Sequence, residues 1–257
     1  MVLDAHWFQN WGPAYEKELQ LFCFPYAAGS ARAFRTWARW MPPQWNVIGV
    51  QYPGRENRGA ESLAYKMSEL AEPLVELFLS ETRPYMFFGH SLGALLAFEV
   101  TERLVRAGCT GPCLLVVSAA AAPHLRPVNN ESRRLSRTEL LALLRTLNGT
   151  DAEVFEHVEL LELILPIFAA DATIAGRYHR TTDARIPSPL LVLGGKNDTC
   201  ISLPQLEAWR EHTSGTYAQE IFDGDHFFIR QAEEQVVKRI LETFTGLEYP
   251  QEQLIKP

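Results

Sequence analysis

The chain has 257 residues, of which 47% are hydrophobic and 21% charged, and its formal net charge is −7. This length and composition suit one α/β domain with a large core, and the negative charge disfavours general affinity for nucleic acids. No segment approaches the roughly 18 uninterrupted apolar residues of a membrane-spanning helix.

The N-terminus and the cysteines indicate where the protein works. Residues 1–6 show neither the basic start nor the apolar run of a signal peptide. The cysteines show no metal-ligand spacing, and we expect them to be reduced: Cys23, Cys109, Cys113 and Cys200. Both observations favour the cytoplasm.

The first clear pattern is a strand over residues 20–25, followed by small residues at 26–30 and a helix near 33–40; residues 1–18 are only weakly patterned. A small-residue turn between strand and helix leaves backbone N–H groups free, here those of Tyr26 and Ala27. The alternative is an ordinary strand-to-helix turn.

A second strand is predicted at residues 46–51, and a Pro-Gly turn follows it. Arg55 and Arg58 come directly after this turn. They are either surface charges or contacts to a polar substrate or partner near the strand end. A helix is then predicted over residues 63–79, with Pro73 as a possible kink or break.

The centre of the chain is an aromatic and apolar strand at residues 85–88 that runs into Gly-x-Ser-x-Gly, with Ser91 in the middle. A helix over residues 94–105 follows, with Gly108 just past its end. Strand, sharp turn and helix are the context of a nucleophile elbow, in which a side chain at either flanking glycine would collide with the neighbouring strand or helix. The alternative is a chance match in a loop.

After an almost wholly apolar strand at residues 113–119 the pattern changes. A polar stretch at 124–136 ends in the capping box that Ser136 and Glu139 form, which opens a helix to 147. Helices at 152–165 and 167–178 follow, with Pro166 interrupting them. The prediction is an α/β core (1–122 and 184–257) with a helical lid inserted at 123–183; the alternative is extra core helices.

The last two strands supply an acid and a base for the serine. Asp198 follows the strand at residues 189–194, and His226 follows the strand at 217–222, before a helix that runs to about 244. The order Ser91, Asp198, His226 is that of the α/β-hydrolase fold. Asp223 and Asp225 compete with Asp198 for the role of orienting His226. His90, although adjacent to Ser91, points off the elbow and is interpreted as structural.

The motifs together resemble a known family, the type II thioesterases that accompany nonribosomal peptide and polyketide synthases. The chain is also similar to the free-standing medium-chain thioesterase of animal fatty acid synthesis. The matching segments span nearly the whole chain: 24–31, 51–55, 88–94, 194–198 and 224–228. The family usually has His where Tyr26 stands and Gly where Ala28 stands.

The resemblance implies an α/β-hydrolase in which Ser91 is the nucleophile, His226 the base and Asp198 its orienting acid, with Leu92 and Ala27 donating the oxyanion-hole N–H groups. It implies hydrolysis of acyl thioesters on the phosphopantetheine arm of a carrier protein, to edit aberrant acyl groups. No metal or soluble cofactor is expected, and neither is a nucleic acid or membrane partner; the expected state is a monomer.

Three other interpretations stay open: a medium-chain fatty acyl thioesterase, a carboxylesterase or lipase that cleaves oxygen esters, and a non-catalytic binding protein of the same fold. Carrier proteins are commonly acidic, so docking on this acidic chain needs a local basic patch. Arg133, Arg134 and Arg137 are the candidates, and a solvated polar loop is the alternative.

Overall fold

The computed structural model describes residues 4–11, 19–126, 135–149, 152–180 and 182–247. Seven strands form one sheet in the order β1-β3-β2-β4-β5-β6-β7, and all neighbours are parallel except β1, which runs antiparallel to β3. The strands are β1 (Phe8–Asn10), β2 (Leu19–Phe24), β3 (Trp45–Val50), β4 (Tyr85–His90), β5 (Leu114–Ser118), β6 (Leu190–Gly195) and β7 (Tyr217–Phe222).

Helices connect the parallel strands, as the long crossovers of such a sheet require. The α-helices are α1 (Met67–Leu79), α2 (Leu92–Arg106), α3 (Arg137–Leu147), α4 (Ala152–Glu156), α5 (Val158–Arg177), α6 (Leu203–Glu207), α7 (Phe228–Gln231) and α8 (Glu233–Gly246). Segments of 3₁₀-helix lie at Ala31–Arg39, Glu56–Arg58, Pro123–Leu125 and Ala208–His212.

The sheet is buried on both faces, which explains why its strands are almost continuously apolar. On one face Phe22 and Phe87 pack with residues of α1 and α2. On the other face Phe88 packs with Trp37 of the first 3₁₀ segment, with ring centroids 4.7 Å apart, and with residues of α8. The two layers fix the C-terminal ends of β4, β6 and β7 along one edge, where a site can form.

Helices α3, α4 and α5 come between β5 and β6, where the lid was predicted. Their apolar side chains form a third cluster: Leu140, Leu144, Leu161, Leu165 and Phe168. Ala27 and Ala28, from the loop after β2, pack against it. The C-terminal part of α5 instead joins the main core through Ile174. These helices therefore lie over the loop whose N–H groups were predicted to be free.

Each of the six predicted strands appears with both ends within two residues of its predicted position. The three-residue β1 was missed, because so short a segment shows no alternation. The predicted helix near 33–40 is a 3₁₀-helix that begins at Ala31.

Two predictions about proline were wrong or only partly right. Pro166 does not interrupt the lid helices: α5 runs through it, held on both sides by the buried Leu165 and Phe168, and the break lies at the extended residue His157. Helix α1 contains Pro73 without ending there, but it begins at Met67 rather than at 63. No helix among the described residues combines the length and the hydropathy that crossing a membrane takes.

Candidate active site

Ser91 lies on the sharp turn between β4 and α2. Its backbone has φ 55° and ψ −115°, a region that side chains rarely adopt, and its N–H donates to the Ser118 carbonyl at 2.8 Å. This turn raises the serine above the end of the sheet, at the N-terminus of a 15-residue helix whose dipole favours negative charge.

The two glycines of the motif are required by close backbone approaches. A Cβ on Gly89 would lie 2.2 Å from the Gly93 carbonyl oxygen, in the first turn of α2. A Cβ on Gly93 would lie 2.0 Å from the Phe24 carbonyl oxygen, on the adjacent strand β2. Both distances are far inside van der Waals contact, so the predicted steric reason for Gly-x-Ser-x-Gly agrees with the structure.

Asp198 and His226 form a hydrogen-bonded pair beside this turn. Oδ2 of Asp198 lies 2.8 Å from Nδ1 of His226, and the two side chains are 1% and 4% exposed. Oδ1 of Asp198 accepts the backbone N–H groups of Cys200 at 2.7 Å and Ile201 at 3.1 Å. With the carboxylate fixed in this way, the imidazole is held in one orientation with Nδ1–H toward the acid.

The rival residues have other contacts. Asp223 is 96% exposed and lies 3.8 Å from the Lys196 ammonium. Asp225 accepts the side-chain amide of Asn148 and the backbone N–H of Phe227, each at 2.8 Å. His90 is fully buried with Nδ1 2.9 Å from the Ser118 hydroxyl, and burial holds its pKa well below 6.5. The structure therefore pairs His226 with Asp198, and His90 packs inside the core.

A cavity of about 330 Å³ joins the predicted catalytic groups. Ser91, Leu92, Ala27 and His226 all line it, and within the described part of the chain Nε2 of His226 is buried without a hydrogen-bond partner. The rest of the wall is mainly apolar and includes Leu95, Leu135, Leu143, Leu147, Phe168 and Ala172. A buried imidazole nitrogen with a free lone pair, next to a serine and an apolar chamber, suits transfer of an acyl chain.

The backbone N–H groups that were predicted to bind an oxyanion are available. Among the described residues, neither Ala27 nor Leu92 donates its N–H to a hydrogen bond. Tyr26, the other candidate, lines a separate cavity of about 360 Å³ and packs its ring edge against Phe227, 4.8 Å away. Because Ala27 lines the cavity that contains Ser91 and Tyr26 does not, the structure favours Ala27 as the second oxyanion-hole donor.

Tyr26 and Ala28, the two residues that depart from the family pattern, both have specific contacts in this loop. The Tyr26 hydroxyl accepts a hydrogen bond from Arg230 at 3.2 Å, and the Arg230 guanidinium also lies over the Tyr26 ring, 5.9 Å from its centroid. Ala28 has φ 61°, in the left-handed region where glycine is favoured. Its N–H donates to Oδ2 of Asp171 at 2.7 Å, which supports the strained conformation.

Sequence reasoning missed Asp171. This carboxylate is 2% exposed, lies on helix α5 and is paired with Arg55. Burial raises the pKa of Asp171, and Arg55 opposes that shift. The available signal was a single acid within the apolar stretch from Phe168 to Ile174, which in a buried helix requires a partner.

Arg55 and Arg58 lie in the interior and bind groups of the same chain. Arg55 and Arg58 are 6% and 5% exposed, so they are not surface charges, and both are occupied by contacts within the chain. Arg58 pairs with Glu61 and lies over the Trp7 ring, 4.1 Å from its centroid. Of the predicted docking patch, Arg137 is paired with Glu162 at 2.7 Å. Arg133 and Arg134 lie outside the described residues.

Three possible metal-ligand atoms from Asp198, Cys200 and His226 lie within 4.8 Å of one another. Two of these residues already hydrogen-bond to each other. Burial and the Asp198 charge raise the pKa of the Cys200 thiol, so the free thiol is a weak nucleophile. All four cysteines are free thiols.

Comparison with known proteins agrees with this geometry. The thioesterase domain model matches residues 19–244. Gramicidin S biosynthesis protein GrsT of Aneurinibacillus migulanus is 34% identical over 239 residues, covering 90% of this chain and 91% of that protein. Linear gramicidin dehydrogenase LgrE of Brevibacillus parabrevis is 37% identical over 246 residues, with 94% of both chains covered.

The fold has close relatives among solved structures as well. The type II thioesterase BorB from the borrelidin biosynthetic cluster superimposes with a TM-score of 0.83 at 35% identity, covering 93% of this chain and 97% of that one. The predicted α/β-hydrolase fold, with a mostly parallel sheet flanked by helices, is thereby confirmed.

Proposed function

This chain belongs to the thioesterase domain family, and we propose that it hydrolyses acyl thioesters on the phosphopantetheine arm of carrier proteins, with Ser91 as nucleophile. One observation carries the proposal. Asp198 holds His226 through Nδ1, Nε2 has no hydrogen-bond partner among the described residues, and His226 and Ser91 line the same cavity. A serine becomes nucleophilic only with such a base, and the neighbouring apolar chamber suits an acyl chain.

The reaction then runs in two halves. Nε2 of His226 takes the proton of the Ser91 hydroxyl as its oxygen attacks the acyl carbonyl, and the N–H groups of Leu92 and Ala27 stabilise the oxyanion. The carbon–sulfur bond breaks, and the pantetheine thiol leaves with the proton from His226. Water, deprotonated by His226, next attacks the acyl-Ser91 ester. The bond between the acyl carbon and the Ser91 oxygen breaks, this oxygen regains its proton from His226, and the carboxylic acid is released. Asp198 stabilises the imidazolium in both halves. The proposed chemistry needs no metal or cofactor.

The proposed role is editing on a modular synthase that makes a peptide or polyketide product. GrsT is named a gramicidin S biosynthesis protein, and BorB is named a type II thioesterase from the borrelidin biosynthetic cluster. LgrE is named a dehydrogenase, but a dinucleotide-binding domain has Gly-x-Gly-x-x-Gly after its first strand. In this chain no two glycines stand two positions apart, which favours hydrolysis over hydride transfer. The proposed compartment is the cytoplasm, where the four free thiols stay reduced.

The test is mass spectrometry of a carrier protein that bears an acylated phosphopantetheine arm. We expect the protein to restore the free thiol of the arm and release the acid, and Ser91→Ala to leave the acyl group in place. A fluorophosphonate should label Ser91 in the wild type, and absence of labelling would support a non-catalytic binding protein.

The acyl groups distinguish the remaining alternatives. Turnover of short, aberrant and decarboxylated acyl groups supports editing, whereas turnover confined to medium straight chains supports a fatty acyl thioesterase. If oxygen esters are cleaved while every carrier-bound thioester is left intact, the enzyme is a carboxylesterase and the carrier-protein role is wrong.

A further inference from the structure

The segment Gln51–Arg55 contacts the loop that carries Ala27, although none of its side chains lines the active-site cavity. The Gln51 side-chain oxygen accepts the Ala31 N–H at 2.9 Å, at the end of that loop. The Tyr52 hydroxyl donates to the Pro25 carbonyl at 3.0 Å, at its beginning. Both side chains are fully buried, so these bonds are shielded from water.

The middle of the loop is held through Asp171. Oδ2 of this carboxylate accepts both the Ala28 N–H, at 2.7 Å, and the Arg55 guanidinium. Arg55 also donates to the Pro53 carbonyl at 3.1 Å, and its own carbonyl accepts the Gln51 side-chain amide at 3.0 Å. The acid on α5 is therefore neutralised by an arginine that is itself anchored in the segment after β3.

These contacts fix the two peptide planes on either side of Ala27. The Tyr26 carbonyl accepts the Gly29 N–H at 2.8 Å, and a trans peptide points its C=O and N–H in opposite directions. This bond therefore directs the Ala27 N–H away from the turn. Asp171 fixes the next plane by binding the Ala28 N–H. With both planes fixed, the Ala27 N–H is oriented before any substrate binds, which is what an oxyanion donor requires.

We propose that Asp171 and Arg55 are positioning residues for catalysis: their ion pair holds the loop so that the Ala27 N–H can bind the oxyanion. This rests on the proposed function, because it takes Ala27 as a donor. Asp171 touches neither Ser91 nor His226 in the contacts of the described residues, and its effect passes through Ala28. Tyr52 is the second support of the same loop.

The test compares Asp171→Ala with Asp171→Asn. Alanine removes the acceptor for Ala28, whereas the asparagine oxygen can still accept from Ala28 and Arg55. With an acyl thioester of N-acetylcysteamine, we expect Asp171→Ala to lower kcat about 10- to 100-fold, because a misplaced donor loses part of the roughly 10²–10³-fold contribution of an oxyanion-hole group. KM should stay within about threefold, and Asp171→Asn should recover most of kcat.

A second readout separates positioning from general damage. An acyl trifluoromethyl ketone adds the serine oxygen and forms an oxyanion in the same place, so its inhibition constant should rise in Asp171→Ala by the factor that kcat falls. Glu102→Ala is the matched control, since it removes the acid from another buried ion pair, with Arg180, on α2. It should lower the melting temperature and leave kcat within about twofold.

Three results would overturn the proposal: a folded Asp171→Ala enzyme with kcat near wild type, a lower kcat with unchanged ketone affinity, or an equal loss of kcat in Glu102→Ala. If Asp171→Ala does not fold, Tyr52→Phe deletes only the hydroxyl that holds Pro25, and it should lower kcat and ketone affinity together. If the wild type cleaves oxygen esters but not thioesters, the proposed function is wrong. The positioning role of Asp171 can then still be tested, because the ketone also mimics the tetrahedral intermediate of ester hydrolysis.

Discussion

Replacing Asp198 by asparagine reverses one hydrogen bond of the active site. Oδ1 of Asp198 accepts two backbone N–H groups, from Cys200 and Ile201, so the asparagine must keep its oxygen at that position. Its NH₂ group then occupies the place of Oδ2, 2.8 Å from Nδ1 of His226, and can only donate. The imidazole must accept at Nδ1 and carry its proton on Nε2.

In the proposed mechanism, a proton on Nε2 prevents His226 from taking the proton of Ser91. In serine enzymes with this arrangement, the wrong tautomer costs about 10⁴ in kcat, equivalent to about 5.5 kcal/mol of transition-state free energy. The packing of the site changes little, because asparagine has nearly the same shape as aspartate. We therefore expect a loss of about 10³- to 10⁴-fold in kcat, with KM within about threefold.

The assay is steady-state hydrolysis of an acyl N-acetylcysteamine thioester at pH 7.5, with Asp223→Asn and Asp225→Asn as controls. Asp223 is 96% exposed, so its variant should keep kcat within about twofold of wild type. Nitrogen-15 NMR of the His226 ring reports which nitrogen carries the proton. The reasoning is refuted if Asp198→Asn keeps kcat within tenfold, or if Asp225→Asn costs as much.

Two further predictions concern the acyl cavity and the effect of acid. Phe168 lines both the cavity of about 330 Å³ and the cavity of about 360 Å³. Phe168→Ala should therefore enlarge the space for an acyl chain and raise relative kcat/KM for longer acyl chains about fourfold for each methylene newly buried. Equal ratios in both enzymes would contradict this. Burial and Arg180 lower the pKa of His212 to about 3 in the folded protein. Below pH 6.5 the unfolded chain therefore binds a proton at His212 that the folded protein does not bind. Acidification from pH 6.5 to 5 should cost the wild type up to about 2 kcal/mol of stability through this group. In His212→Phe, this part of the pH dependence of the free energy of unfolding, measured by urea unfolding, should disappear. If the pH dependence is unchanged in the variant, other groups cause it.

Those parts of the site that depend on local order along the chain could be predicted from the sequence. The position of Ser91 follows from the strand before it, the helix after it and the two glycines that stand two residues before and two residues after it. Asp198 and His226 each follow a strand of a parallel sheet, and the C-terminal ends of such strands meet at one edge. For these residues position along the chain determines position in space, so no knowledge of packing was needed.

The supports of the oxyanion loop depend on contacts between distant segments. Asp171 reaches Ala28 across 143 residues and Arg55 across 116 residues. Neither spacing follows from periodicity or from a capping motif, and an arginine after a Pro-Gly turn is ordinarily exposed. The course of α5 through Pro166 depends in the same way on burial of its neighbours. Tertiary packing determines these features, and the local patterns of a single sequence do not predict it.

In the proposed mechanism, helix α5 would connect acyl selection to catalysis. Phe168 lines both cavities, and Asp171, three residues later, holds Ala28 beside the oxyanion donor. Residues three apart in a helix lie on the same face, so the two side chains move together when the helix moves. A displacement of α5 that enlarges the cavity for a bulky acyl group would also withdraw the acceptor from Ala28. Acyl groups that fit without moving α5 would therefore be hydrolysed fastest, and the shape of the predicted lid would then determine rate as well as binding.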